Sequence, residues 1–113
     1  MEAIVPTTPL PENAVVRVSG GSFDPARFAE VQEMTIATSR YLIPAVEALP
    51  GLISFFAGTH PDGSLVQISV WDSEQHARQL DDLREMAVIA RGEAEKAGVT
   101  FIKIFNYPIV WSI

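Results

Sequence analysis

Short runs of β-branched and aromatic residues predict four strands along the chain. The predicted strands cover residues 14–19, 52–60, 64–71 and 99–107. Pro61-Asp62-Gly63 joins the second and third runs and has the composition of a tight turn in which glycine takes a positive φ. Pro108 lacks a backbone donor, so the last strand must end there in an edge, a bulge or an exit.

A three-four spacing of apolar residues between the first two strands predicts a long amphipathic helix. Asp24 followed by Pro25 is typical of a helix start, because the carboxylate can accept a bond from the free N–H groups of the first turn. Pro44 is expected to kink this helix or split off its last turn, and Pro50-Gly51 to end it. The predicted buried stripe consists of Phe28, Val31, Thr35, Leu42, Val46 and Leu49.

A second helical stripe lies between the third and fourth strands. Asp72 or Ser73 is the predicted N-cap, and Gly98 is the predicted stop. Asp81-Asp82 is expected to interrupt the pattern, giving a short helix followed by a longer one. The stripe consists of His76, Leu80, Leu83, Ala87, Ala90, Ala94 and Ala97.

The resulting order βαββαβ predicts an α+β, ferredoxin-like fold: a four-stranded antiparallel sheet with helices on one face. We expect one domain over residues 14–113, preceded by an extended N-terminal arm over residues 1–13, which contains three prolines. Because this superfold hosts many activities, the fold alone predicts no function.

The predicted hairpin indicates that both faces of the sheet are covered. Val66, Ile68 and Val70 point to one face, and the second strand carries apolar residues on both of its faces. An antiparallel sheet with one solvated face would instead alternate cleanly between apolar and polar residues. With 48% hydrophobic residues in only 113, we expect a second copy of the chain to cover the free face, as a homodimer or a higher assembly.

The charge and the amino-acid composition exclude several classes of function. The net charge of −6 argues against a nucleic-acid partner, whose phosphates need clustered Lys and Arg. The sequence has no cysteine, which excludes disulfides, thiolate nucleophiles and Cys-ligated metals. No apolar run is long enough to span a bilayer and the first residues do not resemble a signal peptide, so we expect a cytoplasmic protein without a membrane partner.

Two segments carry a family resemblance. Leu49-Pro-Gly-Leu-Ile-Ser-Phe-Phe and Ile68-Ser-Val-Trp-Asp-Ser-Glu-Gln-His-Ala-Arg, together with the hairpin between them, resemble the dimeric α/β-barrel proteins that include the antibiotic-biosynthesis monooxygenases. The similarity in layout extends from about Ala14 to Phe105. It implies a dimeric α/β barrel in which two four-stranded sheets face each other, with a pocket between each sheet and its helices.

The resemblance also implies a chemistry without cofactors. Such monooxygenases use no metal or flavin, because the deprotonated substrate itself passes an electron to dioxygen; the protein supplies a dry pocket and a base. His76 is the predicted catalytic base, while Trp71 and Tyr41 are predicted to line the ligand pocket. Each has a structural alternative: a hydrogen-bonded histidine in a first helical turn, a tryptophan filling the seam between sheet and helix, and a tyrosine packing at a helix border.

Two polar residues complete the predicted pocket. Arg17 lies among valines, so its charge must either pair with a carboxylate, which we expect to belong to another subunit, or bind an anionic ligand. Asn106 is either a pocket residue or an ordinary strand-end turn residue. His60 would bind a metal only if His76 and a carboxylate converged on it, and we predict no metal site. The first strand lacks the Asn of the haem-degrading relatives, which argues against haem breakdown.

Two functions stay open on this basis. One is cofactor-independent oxygenation of a small aromatic or polyketide-like hydroxy compound. The other is a non-catalytic dimer that binds a small apolar or aromatic ligand, or that has only a structural role. The first requires His76, Trp71 and a polar partner around one cavity, whereas the second tolerates a closed interior.

Overall fold

The computed structural model describes residues 9–113, so most of the predicted N-terminal arm lies outside the described residues. The strands are β1 (Val15–Ser22), β2 (Leu52–His60), β3 (Ser64–Trp71), β4 (Thr100–Phe101) and β5 (Phe105–Pro108). The helices are α1 (Phe28–Glu47), α2 (Glu74–Ala77), α3 (Gln79–Asp82) and α4 (Arg91–Lys96), with a 3₁₀ turn at Pro25–Arg27 and a π-helical segment at Glu85–Ala90.

The sheet confirms the predicted ferredoxin-like α+β fold. Its strands follow the order β2-β3-β1-β4, with β5 also pairing to β1, and every pairing is antiparallel. The two central strands, β1 and β3, are therefore adjacent although α1 and β2 separate them in sequence. None of the described helices is long and apolar enough to cross a membrane.

The prediction of four strands was wrong by one, because the last strand is divided into β4 and β5. Phe101 pairs with Gly21 and Phe105 pairs with Val18, so four steps along the last strand match three steps along β1. This one-residue excess is what a β-bulge introduces. The N–H of Ile102 still bonds to β1 at 3.0 Å, and the bulge therefore interrupts one edge strand rather than creating a new layer.

The ends of α1 follow the predicted signals. Asp24 accepts a hydrogen bond from the N–H of Ala26 at 2.9 Å and caps the 3₁₀ turn that leads into the helix. Pro44 lies inside α1, which continues unbroken to Glu47, so the proline does not split off the last turn. Gly51 takes a φ of 86°, which an L side chain rarely adopts, and it directs the chain into β2.

The second helical region is divided as the sequence predicts. Ser73 is the N-cap, since its hydroxyl oxygen accepts a bond from the N–H of His76 at 3.2 Å. After Asp81-Asp82 the chain becomes extended at Leu83, where ψ is 112°, before helical structure resumes. Gly98, with a φ of 89°, ends α4. The π-helical turn between the two parts was not foreseen, because its pattern of apolar residues is the same as that of an α-helix.

The two faces of the sheet differ in cover. The helices bury one face through two apolar clusters, one centred on Trp71 and Leu80 and the other on Val31 and Ala94. The other face, which we call the apolar face, carries no helix. Its residues, by register, are Val16, Val18, Phe56, Val66, Ile68, Val70, Phe105 and Tyr107.

Candidate functional site

Polar side chains line the centre of the helix-covered face of the sheet. Arg17 and Ser19 of β1 pair in register with Ser69 and Gln67 of β3, so all four point toward the helices. We call this set the polar strip. Interior positions in so small a domain are usually apolar, because a buried polar group costs free energy unless it is hydrogen-bonded. The polar strip is therefore the first candidate for a binding function.

Two cavities open onto the polar strip and share Gln67. The larger has a volume of about 360 Å³ and lies between α1 and the strands β2 and β3. The smaller has a volume of about 180 Å³ and lies under the segment from α3 to α4. Leu42, Val46, Leu52 and Phe55 are among the apolar walls of the larger cavity. The larger volume is within the range of sites for small organic ligands, whereas the smaller one is below that range.

Hydroxyl groups of α1 form the polar wall of the larger cavity. The hydroxyl of Thr35 donates to the carbonyl of Val31 at 2.9 Å, and that of Thr38 donates to the carbonyl of Thr35 at 3.1 Å. Ser39 donates to the carbonyl of Ile36 at 2.6 Å. Each proton is thus committed to the helix backbone, while each oxygen keeps acceptor capacity toward the cavity.

Arg17 is the buried cation of the smaller cavity, with 5% of its surface exposed. Its guanidinium donates to Asp81 Oδ1 at 2.6 Å and to the carbonyl of Ala77 at 3.3 Å. The expectation of a carboxylate from another subunit was therefore wrong, because the partner comes from the same chain. A guanidinium has five N–H donors, and the described residues accept two hydrogen bonds from this one, which leaves donors for a ligand.

The π-helical segment shapes the other wall of the smaller cavity. Met86 and Ala87 of this segment line the cavity, together with Arg91 at the start of α4. The Arg91 guanidinium lies 4.7 Å from the ring centroid of Phe101, and its Nε donates to Glu95 at 3.1 Å. Single π-helical turns are frequent at functional sites, and this one borders the smaller cavity.

The environment of Trp71 is that of a packing residue between the sheet and the helices, which is the structural alternative to a pocket role. The side chain is fully buried, and its Nε1–H donates to the hydroxyl of Ser69 at 2.8 Å. It packs in one cluster with Val46, Ala77 and Leu80, and it is not among the residues that line either cavity. Trp71 therefore packs between the sheet and the helices.

His76 lies at the start of α2, beside the turn that leads into β2. Its Nδ1 is 2.6 Å from Asp72 Oδ1, and about a third of its side chain is exposed. The ring is held close to the backbone of Gly51. His76 lines neither cavity, so the structure does not bring it together with Tyr41 and Trp71 around one space.

Tyr41 and Asn106 each bury a polar atom that has no hydrogen-bond partner among the described residues: the Tyr41 hydroxyl oxygen and Asn106 Oδ1. Asn106 is the β5 residue opposite Arg17, and it therefore lies beside the polar strip. Burial, with a smaller contribution from the Glu93 carboxylate, raises the pKa of Tyr41 above its ordinary value. The phenol thus keeps its proton, although Tyr41 lines neither cavity.

Sequence reasoning missed Ser19, Gln67 and Thr38 as site residues. The signal was present in the alternation of β3, where polar Gln67 and Ser69 occupy the positions between apolar Val66, Ile68 and Val70. Alternation showed that these residues share a face, but it did not show that helices cover that face. Thr38 gave a similar signal in α1, because it is a polar residue among the buried apolar residues of that helix.

No cluster of three or more potential metal ligands occurs among residues 9–113. His60 Nδ1 lies 3.1 Å from Asp62 in the exposed hairpin turn. His76 pairs with Asp72, on another part of the chain. The convergence that a metal site would need is therefore not present in the described part of the chain.

Comparison with known proteins gives a clear answer at the level of fold. No protein-family model and no curated protein matches this sequence. A dimeric ferredoxin-like protein from an uncultured marine organism matches with a TM-score of 0.68 at 13% identity, over 90% of this chain and 92% of that one. A monooxygenase from Streptomyces coelicolor, in complex with nanaomycin D, matches with a TM-score of 0.69 at 19% identity, over 90% and 92%.

A third match is a variant of SnoaB, a cofactor-independent oxygenase from Streptomyces nogalater. Its TM-score is 0.58 at 19% identity, over 89% of this chain and 97% of that one. At identities this low, the structural matches show a shared fold and nothing further. The structural neighbours of this chain are ferredoxin-like dimeric proteins and antibiotic-biosynthesis monooxygenases.

Proposed function

We propose that this protein oxygenates a small aromatic or polyketide-like hydroxy compound without a metal or organic cofactor. The observation that carries the proposal is the polar strip, which faces a cavity of about 360 Å³ and a second of about 180 Å³ in an otherwise apolar interior. SnoaB is a cofactor-independent oxygenase and the Streptomyces coelicolor monooxygenase was solved in complex with the ligand nanaomycin D, which supports the same use of this space.

The proposed chemistry assigns a role to each polar group. The bound substrate is first deprotonated and then supplies all four electrons that reduce dioxygen; one oxygen atom enters the product, and the other leaves as water with two hydrogens from the substrate, as when a phenol becomes a quinone. Gln67 lines both cavities, so its amide can hold the reacting oxygen of the substrate. Arg17 stabilises negative charge on the deprotonated substrate, because a buried cation acts strongly at low local dielectric.

His76 stays a proposed base. Its Nδ1 is held by Asp72, an arrangement that orients the ring and leaves Nε2 as the nitrogen able to exchange a proton. As a base, His76 would have to act at the margin of the space that the polar strip occupies. Oxygen consumption measured with His76→Gln tests this role, and an unchanged rate would remove His76 from the mechanism.

The test of the proposed function is oxygen consumption with a panel of quinols and phenols. We expect turnover with at least one class and a loss of about a hundredfold in Gln67→Leu, as is found when an oxyanion-stabilising donor is removed. Gln32→Leu is the matched control, because Gln32 is exposed on α1 and away from both cavities. No turnover across the panel by the unmodified protein would contradict the proposal.

A second candidate function is non-catalytic binding of a small ligand by the same space. One observation favours it: the described residues that line the two cavities include no histidine, and their acids are Glu47 and Asp81. Asp81 Oδ1 already accepts a hydrogen bond from Arg17 at 2.6 Å. Saturable ligand binding without oxygen consumption would identify this function.

We also propose that the functional unit is a homodimer formed through the apolar face. In the single chain Phe56 is 64% exposed, and Val66, Phe105 and Tyr107 are between 37% and 46% exposed. Contiguous exposed apolar surface of this kind is typical of an interface. The dimeric description of a ferredoxin-like neighbour that matches 90% of the chain supports this assembly, and a cytoplasmic location stays a prediction.

A further inference from the structure

The two cavities have opposite hydrogen-bonding character. Among the described residues that line the larger cavity there is no lysine, arginine or histidine. Its polar lining residues other than Gln67 are Thr35, Thr38, Ser39 and Glu47. The three hydroxyl protons are used by helix carbonyls, so toward a ligand this wall presents acceptor oxygens.

The smaller cavity presents donors instead. Arg17 and Arg91 line it, and the acid among its lining residues, Asp81, is bonded to Arg17. Asp81 is about half exposed, so water screens much of its charge, whereas Arg17 is almost fully buried. An acceptor group of a ligand, such as a carboxylate or a carbonyl, therefore finds N–H donors at this end.

We propose that one ligand spans both cavities in a fixed direction, with a hydroxyl group against Thr38 and a carboxylate or carbonyl group against Arg17. Gln67 lines both cavities, and its amide can bind either group. The ligand class is an aromatic compound with a hydroxyl at one end and an oxyanion or carbonyl at the other. This inference rests on the site of the proposed function, and it concerns binding rather than turnover.

In this proposal, Thr38 accepts a hydrogen bond from the hydroxyl group of the ligand. Thr38 is 7% exposed, lies in the middle of α1 and lines the larger cavity, so its oxygen can accept a bond from a ligand bound there. For Thr38 to donate instead, its proton would have to leave the carbonyl of Thr35, and that carbonyl would lose a hydrogen bond. A methyl ether in place of the hydroxyl has no proton to offer, and we expect it to bind more weakly.

The probe is 6-hydroxy-2-naphthoate, which carries a hydroxyl and a carboxylate at opposite ends of a flat aromatic body. The comparison compounds are 2-naphthol, 2-naphthoate and 6-methoxy-2-naphthoate, and calorimetric titration gives each dissociation constant. We expect 6-hydroxy-2-naphthoate to bind about three- to tenfold more tightly than each of the others, the effect of one additional hydrogen bond.

Two variants test the two ends of the site one at a time. Thr38→Val keeps the shape of the side chain and should remove the advantage of the hydroxyl, while 2-naphthoate binds as before. Arg17→Met should remove the advantage of the carboxylate, while 2-naphthol binds as before. Thr100→Val and Arg40→Met are the matched controls, because both residues are exposed and line neither cavity.

Two results would overturn the inference. One is an equal loss of all four compounds in Thr38→Val, with the variant still folded by circular dichroism. The other is tighter binding of the methoxy than of the hydroxy compound to the unmodified protein. Neither result concerns oxygen consumption, so a failure of this inference is distinguishable from a failure of the proposed oxygenation, which the quinol and phenol panel decides.

Discussion

The two faces of the sheet differ in the polarity of their side chains. The face under the helices carries Arg17, Ser19, Gln67 and Ser69 along its centre, whereas the face without helices carries valines, isoleucine and aromatic rings. An ordinary small domain would place these sets the other way round, with polar groups toward solvent. The inversion indicates that neither face of the isolated chain is complete.

Each face lacks a different kind of partner. The covered face encloses cavities that polar side chains line, and the partner we propose for it is a small molecule. The open face is broad and apolar, and its rings include Phe105 and Tyr107, with centroids 5.6 Å apart. A second copy of the same face would complete it. The strand alternation of β1 and β3 thus places the two proposed binding surfaces on opposite faces of one sheet.

A charge on the open face should have the largest effect. Ile68 lies at the centre of this face, opposite Val18 on one side and Phe56 on the other. Ile68→Lys would bury an unpaired ammonium from each subunit, at a cost on the order of several kcal/mol. We expect sedimentation velocity to show a single chain for this variant and a dimer for the unmodified protein.

Val88→Lys is the control for that substitution. Val88 is 60% exposed on the π-helical segment, on the helix side of the sheet. A charge there should leave the assembly intact. If both variants dissociate, or if neither does, the open face is not the interface.

Removing the apolar anchor of the covered face should have the next largest effect. Trp71→Ala deletes a fully buried ring and its bond to Ser69, and we expect the free energy of unfolding to fall by about 3–5 kcal/mol. Urea unfolding in the Ile68→Lys background measures this loss without a contribution from dimer dissociation.

Trp111→Ala in the same background is the matched control. Trp111 is 77% exposed and lies beyond β5, so its removal should change the unfolding free energy by less than about 0.5 kcal/mol. A similar loss in the two variants would mean that the covered face is not the core of the chain.

The fold was predictable because its signals are local. The Pro61-Asp62-Gly63 turn, the Asp24-Pro25 helix start and the stop at Gly98 each follow from the chemistry of a few adjacent residues. The bulge after Phe101 was not predictable in this way. It depends on the register between strands far apart in sequence, which no local pattern reports.

The candidate site was predictable only in part. Arg17 was identified because a charge among valines demands a partner, and that partner proved to be Asp81. His76 and Trp71 were chosen from a helical stripe and a family position, yet neither lines a cavity. A stripe shows which side of a helix faces inward, but the location of a cavity depends on how the elements pack.

The smallest predicted effect concerns Tyr41, whose buried hydroxyl has no partner among the described residues. Tyr41→Phe removes a desolvated polar group, so at neutral pH we expect the unfolding free energy to stay unchanged or to rise by up to about 1 kcal/mol. Urea unfolding at pH 7 checks this, with Tyr107→Phe, at a half-exposed tyrosine, as the control that should change nothing.

The same variant has an expected pH dependence. Because burial raises the pKa of Tyr41 in the folded protein, above about pH 10 the unfolded chain loses this proton before the folded chain does. The unmodified protein should therefore lose stability as the pH rises through that range. Tyr41→Phe should lose less, and an identical alkaline decline in both proteins would contradict the assignment.

The central claim is that the open apolar face belongs to a second copy of the chain. Light scattering of the purified, unmodified protein at micromolar concentration tests it most directly. The account predicts a mass of twice the 12.4 kDa chain. A mass of one chain would leave the apolar face in water and would contradict the account.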